Sequence, residues 1–413
     1  MFQISLIWFG AAVSLAEILT GALLSSLGLT KGLSVIVLGH LIGGFLLFLA
    51  GYIGVKSKKG SMSSVAFSFG RYGSIFFSIM NIVQLVGWQG IMIFDAGISA
   101  EGIFPIGYKW WCLIVGILTI GWIVLGKFRN KLNIIVMSLL IVLTVVLTYV
   151  IIGGHNGAGL SAINSGAEKI SFGQGLELSI AMPVSWIPMI ADYTHKAEKP
   201  RKTAVLAVAV YSIASAWMYS IGLLAAIFTK ETRVDQIMLK AGLGAAGLFI
   251  IVFSCITTNF IDAFSCNQSA FALLPENKKE NSENKGKLRQ NISKNIPGIV
   301  DTIIGTIGAV IFQMDKMSGF LYFIGSIFAP MISVQIADFF ILRRNAEAKD
   351  DGKIDFIAIL SWLAGFITYR ILMRKDYLLG NTIPAMIITI IITSALRLLV
   401  VLVNNKRRSA VAA

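Results

Sequence analysis

Apolar residues in this chain come in runs of about 20, the length a helix needs to cross the hydrocarbon core of a bilayer. Twelve such runs can be traced, at 5–28, 33–55, 73–100, 109–126, 132–152, 174–192, 203–229, 243–274, 296–312, 317–342, 354–372 and 382–404. Only 14% of the residues are charged, against about 25% in soluble domains. A chain of 413 residues with so little polar surface could not hide these runs in water. The first run is too long for a secretory leader, lacks a basic start and holds Glu17 at its centre, so it counts as a span. The expected fold class is an all-α membrane protein of twelve transmembrane helices.

The net charge of +14 follows the loops in a pattern. Lys56, Lys58, Lys59 and Arg71 fall in one set of alternate loops. So do Lys127, Arg129, Lys131, Lys196, Lys199, Arg201 and Lys202, six basic residues in 275–295, Arg343, Arg344, Lys349, Lys353, and Lys406 to Arg408. The other set is sparser. That is the positive-inside bias with both termini cytoplasmic, in a multi-pass protein of the cell membrane. The basicity is spent on orientation, and no nucleic-acid partner is expected. Cys112, Cys255 and Cys266 lie in apolar runs without metal-ligand spacing. The histidines His40, His155 and His195 are scattered. The Lys/Asn/Glu-rich stretch 275–295 reads as a solvated cytoplasmic linker. Hydrolase, zinc-protease and phosphate-loop motifs do not occur, and an enzyme is not expected.

Ionisable side chains at membrane depth are costly and point to function. Glu17 lies mid-span in the first run and Asp262 in the eighth; Asp95, Asp192 and Asp338 stand nearer span ends. For Asp192 and Asp338 an interfacial ion pair or a helix cap is the plain reading. Helix breakers add a second signal. The sixth run contains Pro183 and Pro188, and the first carries Gly10, Ser14, Thr20 and Gly21. Proline removes a backbone donor and clashes with the preceding turn. Irregular backbone survives at membrane depth only where protein buries it or it lines a cavity. Disrupted spans one and six sit five spans apart, as an inverted repeat of five plus five helices would place them. A simple proline kink is the alternative. Residues 1–342 would form that repeat, and 343–413 two further spans.

Other residues could furnish such a cavity. Trp88 lies near mid-depth in the third run, with Gln84 one turn earlier and Gln89 beside it. A flat ring with amide donors and acceptors suits a planar heteroaromatic ligand; packing with amides bonded across helices is the alternative. Trp186 in the sixth run is a similar candidate. Ser254, Thr257 and Thr258 put hydroxyls on one face of the eighth run. With carbonyls from a broken helix they would form an all-oxygen site for a hard cation such as Na+, unless they merely back-bond to their own helix.

The broken spans, the Gly-Trp pair at 87–88, SWIPMIADYTHKAEKP at 185–200, TTNFID at 257–262 and ADFFILRR at 337–344 resemble the nucleobase:cation symporter-1 family. Within it, WFGAAVSLAEILTG and AMPVSWIPMIADYT are most similar to the bacterial branch assigned to hydroxymethylpyrimidine, beside the cytosine permeases. The resemblance covers nearly the whole chain and implies the LeuT-type inverted repeat. It implies that Trp88 stacks on the substrate, that Gln84 hydrogen-bonds it, and that backbone at Met182 and Pro183 contacts it. Relatives carry an aromatic at about the position of Pro183, and Trp186 is the candidate to replace it. Asp262 matches an asparagine of the cytosine relatives; a carboxylate there would accept from an exocyclic amine and a protonated ring nitrogen. Carbonyls of Gly10, Val13 and Ser254 with the hydroxyls of Thr257 and Thr258 match the sodium site of sodium-coupled relatives. Glu17 matches no carboxylate in them and would be a second substrate ligand or a proton carrier.

The expectation is a monomeric secondary transporter with no cofactor. It would import a small aminopyrimidine such as hydroxymethylpyrimidine by alternating access, coupled to Na+ or H+. Cytosine, another nucleobase or allantoin is the nearest alternative cargo; an amino-acid carrier, a channel or a membrane enzyme would be a different class.

Overall fold

The computed structural model describes residues 2–125, 128–153, 170–231, 233–240, 242–273, 287–314, 317–346 and 354–412. All regular secondary structure among them is helical. Eight helical stretches are long and apolar enough to cross a membrane, and Phe2–Ala12, Tyr108–Val124 and Phe356–Leu372 are shorter apolar helices. Rows of large apolar side chains remain exposed, such as Val37, Leu41 and Phe45, or Ile391, Leu398 and Leu402. In water such a surface would be a liability; hydrocarbon is its matching solvent.

Both expected interruptions are present. The first run is divided into α1 (Phe2–Ala12) and α2 (Leu15–Leu23), and one 3-10 turn at Leu24–Leu27 joins α2 to α3 (Gly28–Ser57). Ser14 leaves the helical region at φ −125°, ψ 157° and caps α2 by accepting from the Glu17 N–H. The sixth run is divided into α8 (Phe172–Ser185) and α9 (Ile190–Thr194). Pro183 lies inside α8, while Pro188 stands in the turns between the helices, where its missing donor rules out a regular bond to Val184. The Val184 carbonyl instead accepts from Ile187 at 3.0 Å. These divisions account for two of the four runs that lack a long helix; the other two, at 109–126 and 354–372, form the 17-residue helices Tyr108–Val124 and Phe356–Leu372.

Between the two broken segments come α4 (Ser61–Ser64), α5 (Ala66–Ile103), α6 (Tyr108–Val124) and α7 (Phe128–Gly153). Gly70, at φ 71°, bends α5 near its start. After α9 follow α10 (Pro200–Thr229), α11 (Val234–Lys240), α12 (Gly244–Leu273), α13 (Lys287–Ile311) and α14 (Met317–Ile336), the last ending in a π turn at Ala337–Ile341. Part of the expected linker 275–295 is therefore helical, because α13 begins at Lys287; residues 274–286 and His155 lie outside the described residues. Helix α10 packs on α2 and α3, α8 on α3, and α5 against α12 and α13. The α2–α10 approach depends on glycine: a Cβ at Gly21 would overlap the Tyr219 carbonyl, and one at Gly222 the Ile18 carbonyl.

The last pair, α15 (Phe356–Leu372) and α16 (Thr382–Ala412), packs on α14. Two polar clusters fasten it. Glu177 on α8 accepts from the Tyr369 hydroxyl at 2.5 Å, the Thr382 hydroxyl at 2.6 Å, and the backbone N–H of Asn381 and Thr382 at 2.7 and 2.9 Å. Midway along α16, Arg397 donates to Asp338 at 3.0 and 3.1 Å and to Asp355 at 2.6 Å. Asp338 also takes Arg344 at 2.8 Å, so its role is the ion pair expected for it. Asp192 accepts from the Ser61 N–H and the Ser265 hydroxyl, each at 2.9 Å, capping α4 and bridging it to α12.

Candidate functional site

A cavity lies between the two interruptions, walled by α5 and α12, with about 310 Å³ of space including the part open to solvent. Trp88 and Met92 come from α5, Met182 and Ser185 from α8, and Trp186 and Met189 from the turns after it; Ser14, Ala16 and Glu17 come from the start of α2, and Thr258 and Asp262 from α12. Two indoles, three thioethers and two carboxyls thus share one space. Indole faces and polarizable sulfur suit a flat aromatic guest.

Local structure fixes each group. Trp88 is 7% exposed and held edge-to-face by Phe320 of α14, with ring centroids 5.3 Å apart. Trp186 packs on Trp8 at 5.5 Å and on Tyr211 at 5.6 Å. Trp8 is completely buried, and its indole N–H lacks a partner. Asp262 is 2% exposed and faces the cavity.

Five of the eight sequence-derived substrate candidates line the cavity: Glu17, Trp88, Met182, Trp186 and Asp262. Gln84, Gln89 and Pro183 stand behind it. Gln84 donates to the Ser185 carbonyl at 3.2 Å and to Asn81 at 2.8 Å, so its amide braces the α8 break. Gln89 donates to the Asn259 carbonyl at 2.7 Å, joining α5 to α12. Pro183 abuts Gly43 of α3.

The cation candidates gather at the first break. Ser254 donates to the Val13 carbonyl at 2.8 Å, and the Thr258 hydroxyl lies 3.5 Å from the Gly10 carbonyl. Those carbonyls are available because α1 ends at Ala12 and no helical turn follows to claim them. Thr257 turns back on its own helix, donating to Phe253 at 2.8 Å and lying 3.1 Å from the Ser254 carbonyl. The donor set is all oxygen and fits a hard cation such as Na+; Ser254 and Thr258 hold the cross-helix contacts, with Thr257 one step behind.

Sequence reasoning passed over several residues. Asp301 is buried within the ninth apolar run. The signal that singled out Glu17, a lone acid inside an apolar run, was equally present there. Met92, Met189, Ser14 and Ser185 could not be distinguished from ordinary packing before the breaks were located.

A family model described as permease for cytosine/purines, uracil, thiamine, allantoin matches residues 1–367. No curated protein sequence matches. Among solved structures, the chain is similar to Mhp1, a nucleobase-cation-symport-1 family transporter, in a closed conformation with bromovinylhydantoin bound. That match has a TM-score of 0.74 at 15% identity over 96% of this chain and 90% of the other. The inward-facing conformation of Mhp1 matches with a TM-score of 0.69 at 14% identity, over 95% and 88% of the two chains. A Na+-coupled sialic acid symporter in a substrate-bound outward-open state matches with a TM-score of 0.69 at 14% identity, over 95% and 88%. At these identities the structural likeness establishes the fold, that of the LeuT-like transporters.

Proposed function

The chain belongs to the family of permeases for cytosine/purines, uracil, thiamine and allantoin, and on that premise we propose that it imports a small aminopyrimidine, with hydroxymethylpyrimidine as the cargo that best suits its site. As a permease it is a transporter and not an enzyme. The observation that carries the finer reading is the pairing, in one cavity, of two tryptophans with Asp262. An indole face offers affinity to any flat ring. A carboxylate accepts charge-assisted hydrogen bonds, so it favours a ring with an exocyclic amine over one that presents only carbonyls.

The residues divide the work. Trp88 and Trp186 hold the ring; Met92, Met182 and Met189 fill the gaps between it and the walls. Asp262 selects the amine edge, and the Ser14 and Ser185 hydroxyls are available to ring nitrogens. Gln84 and Gln89 keep the walls in register by tying α5 to the α8 break and to α12. Oxygens of Gly10, Val13, Ser254 and Thr258 would bind Na+ as the coupled cation where α1 meets α12, and Thr257 would support them. Because α1 and α2 meet at that point, an ion there fixes the same break that borders the cargo. Coupling then follows from shared backbone: ordering it for one ligand lowers the cost of ordering it for the other.

A cytosine, other nucleobase or allantoin permease is the second reading, favoured by the breadth of the family description. Uptake into proteoliposomes separates the two. Labelled hydroxymethylpyrimidine, competed by cytosine, uracil, allantoin and thiamine with and without a Na+ gradient, should show aminopyrimidines displacing it best. Stronger displacement by uracil or allantoin would overturn the aminopyrimidine assignment.

A further inference from the structure

Behind the cavity wall, three side chains from three helices form a buried line. Ser215 of α10 has its hydroxyl oxygen 2.8 Å from Glu17 Oε2 and 2.6 Å from His40 Nε2 of α3. The other Glu17 oxygen accepts from the Tyr211 hydroxyl at 2.9 Å. The other imidazole nitrogen, Nδ1, is 2.8 Å from the Ile36 carbonyl oxygen. Glu17, Ser215 and His40 are 1%, 0% and 3% exposed, so bulk water does not substitute for a missing partner.

Counting protons along this line gives a definite result. A carbonyl only accepts, so His40 Nδ1 carries a hydrogen, and Nε2 of a neutral ring is then a bare acceptor. Ser215 has one hydroxyl proton and two neighbours. With Glu17 ionised and His40 neutral, that proton can serve only one of them. The other contact would set lone pair against lone pair at hydrogen-bond distance. Both contacts are satisfied only with one more proton. It sits on Glu17, which then donates to Ser215 while Ser215 donates to His40, or on His40 with every donation reversed. In either arrangement the line holds one proton beyond its discharged form.

We propose that Glu17, Ser215 and His40 form a proton-binding site, and that the proton bound there travels inward with the cargo. This rests on the transport reading above and deepens it by naming the proton as a second coupled cation beside Na+. Two contacts connect the line to the cargo. Glu17 itself borders the cavity, and Tyr211, its hydrogen-bond donor, packs on Trp186 of the cavity wall.

The surroundings are consistent with such a role. Facing Glu17 are Tyr211 and Tyr219 from α10, His40 from α3, and Asp262 from α12 across the cavity. The cavity-lining side chains of α5, α8 and the turns after α8 do not titrate. On α11, Asp235 is engaged by Arg233 at 2.8 Å. Tyr219 lies against the His40 ring at 4.8 Å and donates to the Leu178 carbonyl. A proton on the line removes the charge of Glu17 from the cavity that Asp262 also borders. Discharge frees Ser215 from one partner and returns a negative charge to the cavity wall. The step is simple in balance: a proton enters from the outer water, binds at Glu17 or His40, and leaves to the cytoplasm with no other bond made or broken.

The test uses the full-length protein in proteoliposomes holding a pH-sensitive dye, with equal Na+ on both sides of the membrane and the best cargo from the competition screen. Uptake by wild type should acidify the lumen, and a gradient of one pH unit should drive about tenfold accumulation at one proton per cargo. Glu17→Gln and Ser215→Ala should both lose the acidification. Uptake by wild type at constant lumen pH would overturn the proposal while leaving the permease reading intact. A second measurement needs no cargo and so stands if every pyrimidine fails. Infrared difference spectra at neutral pH, wild type minus E17Q and wild type minus His40→Gln, should reveal a protonated carboxyl or an imidazolium. An ionised carboxylate together with a neutral imidazole would overturn the site.

Discussion

Replacing Trp88 by alanine should weaken cargo binding by roughly 5- to 150-fold. The figure comes from what the ring does in the cavity. Stacking a base on one aromatic side chain contributes about 1–3 kcal/mol, and each 1.4 kcal/mol is about tenfold in Kd. Trp88 supplies one such face, held in place by the edge of Phe320 at 5.3 Å. The same substitution removes a side chain only 7% exposed, and emptying such a site costs about 3–5 kcal/mol of stability. Binding and folding therefore have to be read separately. The assay is equilibrium binding of tritiated cargo by scintillation proximity, on protein that elutes as wild type from gel filtration, with Trp88→Phe alongside. The phenyl ring keeps part of the face, so W88F should fall between wild type and W88A. A W88A protein that binds within about twofold of wild type would refute the stacking role, whatever its stability.

Asp262→Asn should weaken an aminopyrimidine by about 10- to 150-fold, the 1.5–3 kcal/mol of a charge-assisted hydrogen bond, and uracil much less; equal losses in competition binding would reassign the carboxylate. Thr258→Ala takes away a hydroxyl 3.5 Å from the Gly10 carbonyl and should raise the Na+ concentration needed for half-maximal uptake; unchanged Na+ dependence would remove Thr258 from the cation site. Arg397→Ala leaves the fully buried Asp338 with only the partly exposed Arg344. It should destabilise the protein toward the lower end of the ~3–5 kcal/mol for breaking a buried pair, seen as a lower melting temperature in detergent, and a melting curve like wild type would show that the ion pair is dispensable.

The sequence revealed more of the frame than of the site. Helix positions were legible because hydrocarbon demands long apolar runs, and α12, expected at 243–274, spans Gly244–Leu273. The two interruptions were legible for a chemical reason: Pro183 and Pro188 cannot donate, and Gly10 with Ser14 weakens the first span. Which face a side chain presents was harder to read. Trp88 and Gln84 are one helical turn apart, yet Trp88 meets the cavity while Gln84 turns to Asn81 and the Ser185 carbonyl. Thr257 and Thr258 are adjacent, so a helix must send them in different directions. The line from Glu17 through Ser215 to His40 could not be read at all, since its members lie 198 and 175 residues apart in sequence. The close approach of α2 and α10 at Gly21 and Gly222 sets Ser215 beside Glu17, and the packing of α3 on α10 adds His40.

Locating a bound ligand tests the account most directly. A brominated aminopyrimidine soaked into crystals of the full-length protein should give a single anomalous peak between Trp88, Trp186 and Asp262. A peak confined to a second cavity, bordered by Tyr322, Asp376 and Tyr377, or to the lipid-facing surface would contradict it.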